Sequence, residues 1–140
     1  TAASPAPRVP ATQRGAGRLP GLAGVEIIRI AADGVTGRLP VRPELLAPNG
    51  YLHAASVIAL ADTLAGYGTF ANLPEGAKSF TTIELKSNFL GTATSGAITG
   101  TATPAHLGRT TQVWDAVVSD ESGRKIALFR CTQMILYPTN

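Results

Sequence analysis

NGYLHAASVIALADTLAGYG, residues 49–68, decides how this chain is to be read. Alanine, leucine, isoleucine and valine dominate it from His53 onward, with no strict alternation, over about eighteen residues. That length and alanine content favour a helix over a strand. The spacing predicts a helix from about Ala54 to Tyr67, loosened or ended by Gly66, Gly68 and then Pro74. Between His53 and Glu75 the only charged residue is Asp62. Its neighbours on the same helical face are Ile58, Ala59, Ala65 and Gly66, none of which can pair with a carboxylate. No Lys or Arg lies between Arg42 and Lys78, so nothing local offers a salt bridge. Burying an unpaired carboxylate costs several kcal/mol or raises its pKa. Asp62 either shares a narrow solvated stripe with Ser56 and Thr63 or faces a ligand pocket as a base or nucleophile. Helix composition leaves both readings open.

The segments around this helix set the fold class. VEIIRIAADGVTGRLPV (25–41) holds two β-rich runs around the turn dipeptide Asp33-Gly34, which predicts a hairpin. After the helix, SFTTIELKSNFL (79–90) alternates, with Ile83, Leu85 and Phe89 on one side and Thr82, Glu84, Lys86 and Asn88 on the other. Three further strands are predicted at 97–105, 109–120 and 125–137, the last two joined by a turn at Glu121-Ser122-Gly123. Strands, one long helix, then a meander of about four strands give an α+β fold with an antiparallel sheet packed on the helix.

Composition limits the function. The chain of 140 residues is 44% hydrophobic and 15% charged, which suits one globular domain with few exposed charges. Residues 1–20 carry Arg8, Arg14 and Arg18 and no acid; they are expected to be a disordered tail, with 21–140 as the domain. Four prolines in that tail oppose the amphipathic helix of an organelle transit peptide, and it has no hydrophobic run of the secretory kind. Of the twelve Lys and Arg, nine remain for the body, against nine Asp and Glu. A neutral body argues against a nucleic-acid partner. Asp62, Gly66 and Gly68 interrupt the one long apolar run, which argues against a membrane span. A single cysteine, Cys131, permits no intrachain disulfide and favours a reducing, cytoplasmic setting. Two histidines and one cysteine make no convincing metal set.

His53 stands where the helix should begin, after the flexible Asn49-Gly50. The first N–H groups of a helix are unpaired and carry the positive end of its dipole. The small Ala54 and Ala55 would let a substrate carbonyl approach those donors, as in an oxyanion hole. The imidazole of His53 itself is expected to cap the helix or pack on the loop. Ala54 and Asp62 are eight residues apart, about 12 Å along a helix, whereas base and oxyanion donor must both come within roughly 3 Å of one reacting group. One helix cannot supply both. Two antiparallel helices in a symmetric dimer can, which gives two equivalent sites per dimer.

These residues resemble the hotdog-fold acyl-CoA thioesterases, particularly the phenylacetyl-CoA and 4-hydroxybenzoyl-CoA thioesterase-like group. Members typically show Gly-x-x-His-Gly-Gly at the start of the central helix and Asp or Glu nine residues after the histidine. Here the stretch is Gly50-Tyr51-Leu52-His53-Ala54-Ala55, followed by Asp62. LKSNFLGTATSG (85–96) and HLGRTTQVWDAVVSDESGR (106–124) also fit. His-Ala-Ala replaces His-Gly-Gly, and Ala47 stands where members often carry an amide six residues before the histidine; Asn49 is the nearest substitute. The resemblance implies a sheet wrapped around one long central helix and a homo-oligomer, a dimer or a dimer of dimers. It also implies hydrolysis of an acyl-CoA or aryl-CoA to acid and CoA, with no cofactor, CoA being part of the substrate. It assigns Asp62 as base or nucleophile and the Ala54 N–H of a partner subunit as the oxyanion donor. Thr82, or else Thr81, would place the nucleophile, and Arg109 and Lys86 would contact CoA phosphates. Two other functions found on such scaffolds remain: hydration or dehydration of an acyl thioester, with His53 as acid or base, and non-catalytic acyl-CoA binding.

Overall fold

The computed structural model describes residues 11–139. Helix α3 (Ala54–Ala71) lies across one face of a six-stranded antiparallel sheet. The strands are β1 (Glu26–Ala31), β2 (Gly34–Pro40), β3 (Ser79–Phe89), β4 (Ala97–Leu107), β5 (Thr111–Ser119) and β6 (Lys125–Leu136), ordered β1-β2-β4-β5-β6-β3. This is the α+β hotdog arrangement. The first hairpin and the meander β4–β5–β6 form as predicted, but the hairpin turns at Ala32-Asp33, one residue before the expected Asp33-Gly34, and Gly34 already pairs with Ala31. The four late strands do not run in sequence order, however. Among the described residues β3 pairs only with β6 and forms a sheet edge.

The helix extends four residues beyond Tyr67, so Gly66 and Gly68 do not end it. A Cβ at Gly68 would lie 2.5 Å from the indole of Trp114, so this glycine lets α3 press directly against β5. The stop is Asn72, whose side-chain Nδ2 donates to the carbonyls of Gly68 and Ala32, tying the helix end to the first hairpin. Buried Leu60 and Leu64 meet Val35, Leu39, Ile98, Trp114, Val118 and Phe129 in one continuous core. By length and composition α3 could cross a membrane; here it is the helix on which that core is built.

Ordered turns begin earlier than the expected boundary at residue 20. Helices α1 (Ala11–Arg14) and α2 (Leu19–Ala23) precede β1, and the Thr12 hydroxyl accepts from the Ile27 N–H at 2.7 Å. Residues 1–10 of the expected tail lie outside the described residues.

Candidate active site

The start of α3 is built by its own loop. Gly50 takes a left-handed conformation (φ 88°), and the Asn49 side chain accepts from the Tyr51 N–H at 3.2 Å, closing the turn. His53 then caps the helix: its Nδ1 accepts from the Ala55 N–H at 2.9 Å. This is the structural role expected for the imidazole, and it commits one ring nitrogen to the backbone. It also consumes the Ala55 donor. The Ala54 N–H, first in the helix, has no acceptor within it. Ser56 is buried, its hydroxyl donating to the Leu45 carbonyl at 2.8 Å, so it shares no solvated stripe with Asp62.

Asp62 sits two turns further on, at a cavity of about 410 Å³ that it lines with Thr63, Tyr67, Phe70, Phe80 and Thr82, closed on one side by Leu19 and Pro20 of α2. Its Oδ1 is buried and has no hydrogen-bond partner among the described residues. Burial raises its pKa above the ordinary carboxylate value. Cys131, behind it on β6, has its thiol pushed up to about 12, first by burial and then by the Asp62 charge. An apolar cavity holding an uncompensated carboxylate fits a base whose charge is held in readiness.

Thr82 reaches this cavity because β3 is irregular. The β3–β6 register shifts between Thr82 and Glu84, leaving Ile83 as the extra residue of a bulge. Simple alternation put Thr82 with Glu84, Lys86 and Asn88. The bulge instead turns it to the helix side, opposite buried Gln133, whose Oε1 accepts from the Thr82 hydroxyl at 2.6 Å. Thr81 faces away, opposite exposed Met134.

The two expected phosphate contacts are not brought together. Lys86 lies on the outer face opposite Arg130, in a groove with Asn88, Asp115 and Leu128. Arg109 lies in the β4–β5 turn, stacked 5.3 Å over the Tyr137 ring, whose hydroxyl donates to the Arg109 carbonyl. Four or more strand residues, roughly 13 Å, separate them along the sheet. Gln133 was absent from the sequence-based set. Its signal was there: in FRCTQMIL it occupies the same alternation phase as Cys131 and Ile135, so a polar side chain points into the core.

Comparison with known proteins agrees with this architecture. A thioesterase from Pseudomonas aeruginosa, solved as a mutant, superposes with a TM-score of 0.87 at 26% identity, covering 91% of this chain and 92% of that one. A thioesterase from Haemophilus influenzae gives a TM-score of 0.84 at 28% identity over 90% of this chain and 87% of that one. The 1,4-dihydroxy-2-naphthoyl-CoA hydrolase of Listeria monocytogenes is 30% identical over 109 residues, 78% of this chain and 88% of its own length. The proofreading thioesterase EntH of Cronobacter turicensis is 29% identical over 81% of this chain and 82% of its own length. Residues 49–127, from the loop before α3 into the last strand, match the thioesterase superfamily. The chain therefore belongs to the thioesterase superfamily.

Proposed function

We propose that the chain hydrolyses an acyl-CoA or aryl-CoA thioester, with Asp62 as the catalytic carboxylate. The observation that carries this reading is the Asp62 Oδ1, buried without a partner among the described residues, at a cavity lined by aromatic side chains. Hydrolysis uses such a group directly. Asp62 takes a proton from water as the water oxygen bonds to the thioester carbonyl carbon. The carbonyl oxygen becomes negative and is held by an N–H donor, and when the intermediate collapses the C–S bond breaks. The departing thiolate recovers the proton, leaving acid and free thiol. As a nucleophile, Asp62 would bond to that carbon itself and water would release the acid from the resulting anhydride.

The oxyanion donor is the Ala54 N–H of a second copy, since about 12 Å of helix separates it from Asp62 within one chain. The exposed edge of β3, with its unpaired backbone groups and the apolar Leu85 and Phe89, is a surface suited to that second copy. Tyr67, Phe70 and Phe80 line the cavity and suit an apolar, ring-sized acyl group, in keeping with the aryl-CoA named for the Listeria relative. A cytoplasmic setting accords with the buried free thiol of Cys131.

A panel of aliphatic and aromatic CoA thioesters, followed by thiol release, tests the proposal. Asp62→Asn should lower kcat by about 100-fold or more. An Asp62→Asn variant as active as the wild type would overturn the role of Asp62. Recovery of unreacted acyl-CoA across the whole panel would replace hydrolysis with binding.

A further inference from the structure

On the sheet face beneath α3 three polar side chains form one row: Gln112 on β5, Gln133 on β6 and Thr82 on β3 are successive cross-strand partners. Both glutamines are fully buried. Gln112 is engaged at both ends of its amide, donating to the Asn72 carbonyl at 2.9 Å and accepting from the Trp114 indole N–H at 2.8 Å. Gln133 is not. Its Oε1 is turned to Thr82, and its Nε2 is buried with no partner among the described residues. A buried amide with an orphaned donor is costly, so a structural explanation of Gln133 is incomplete. The orientation has a definite chemical effect. The Thr82 hydroxyl spends its only proton on Gln133 and presents lone pairs alone to the cavity it shares with Asp62.

Resting on the hydrolytic reading above, we infer that Gln133 is a positioning residue: by holding the Thr82 hydroxyl as an acceptor, it orients the attacking water. A water in this cavity then donates one hydrogen to Asp62 and the other to Thr82 Oγ1. Its lone pair is left for the carbonyl carbon. The hydrogen shared with Asp62 is the one transferred as the C–O bond forms; the other stays on oxygen, and the carboxylate returns its proton to the leaving sulfur. The same orientation keeps the Thr82 proton away from Asp62, which is consistent with a carboxylate whose Oδ1 has no donor among the described residues and whose pKa is raised by burial. Among the described residues, the ionisable groups facing Asp62 are Tyr67, on the same helix and cavity, and Cys131 on β6. α2 and β3 bring only Leu19, Pro20, Phe80 and Thr82 to that cavity.

The test is the pH profile of thioester hydrolysis in Gln133→Met, which keeps the side-chain length and removes the acceptor. The freed Thr82 hydroxyl can then donate towards Asp62, which favours the carboxylate form. The expected result is a fall in kcat of about tenfold, KM unchanged, and an acid limb moved down by about one pH unit. In the double variant Thr82→Val/Gln133→Met the limb should not move below that of Thr82→Val alone. An unshifted limb in Gln133→Met with wild-type kcat would overturn the inference, whereas a wild-type protein inert towards every thioester would overturn the hydrolytic reading instead. If Gln133→Met does not fold, Thr82→Val should lose about tenfold in kcat and Thr82→Ser should recover most of it. Full activity in Thr82→Val would leave Gln133 nothing to orient and would equally overturn the inference.

Discussion

Strands β5 and β3 both alternate in sequence, yet they meet different environments. Along β5, Gln112, Trp114, Ala116 and Val118 are buried, and the residues between them are half-buried. Along β3 no residue is fully buried, and Leu85 and Phe89, which face the helix side, remain 39% and 44% exposed. The difference is position: β5 lies at the centre of the sheet under α3, whereas β3 is the edge beyond β6. Alternation records what a strand can bury. It does not record whether the covering surface belongs to the same molecule.

The largest effect should come from the centre. Trp114→Ala removes a side chain with no exposed surface and should destabilise by about 3–5 kcal/mol in chemical denaturation. A loss below about 1 kcal/mol would mean that the β5 core is less tightly packed than the close Gly68 contact implies. Gly68→Ala should cost about 1–3 kcal/mol, because its new methyl must displace the indole. At the edge, Leu85→Asp should leave the helix–sheet core of each chain intact and abolish the proposed self-association, read by sedimentation as a shift to monomer. A stable oligomer in that variant would move the proposed interface away from β3.

Asp62→Asn provides a smaller, pH-dependent contrast. Because burial raises Asp62, the folded state binds its proton more tightly than the unfolded chain does. Below the ordinary carboxylate pKa of about 4 both states are protonated, and the contribution favouring the native state is fully present. As pH rises through the folded-state pKa that contribution is lost and a buried charge must be carried. The amide should therefore be more stable than the wild type at neutral pH, and the gap in melting temperature should close on acidification. The smallest effect should be on the outer face. There Arg130 holds Asp115 through two bonds of 2.5 and 2.8 Å, in solvent. Breaking this pair with Arg130→Met should barely move the denaturation midpoint, and less still at high salt.

The helix start, its lone carboxylate, the first hairpin and the β4–β6 meander were legible because each follows from local chemistry: capping, turn residues and period. Three features were not. The length of α3 depended on Trp114, forty-six residues away, which turns Gly68 from a helix breaker into a contact point. The facing of Thr82 depended on a single-residue bulge that ordinary alternation hides. The separation of Lys86 from Arg109 depended on strand order, since β3 passes over its sequence neighbour β4 to pair with β6.

That pairing also constrains how the molecule is made. Thr82 meets Gln133 across fifty-one residues of sequence. A nascent chain that has delivered α3 and Asp62 from the ribosome still lacks the strand that will hold β3 in place. Until β6 emerges, β3 is an unsupported ribbon bearing Leu85 and Phe89, open to premature pairing with neighbouring chains. The Asp62 carboxylate is thus synthesised early, but the cavity around it can be completed only late.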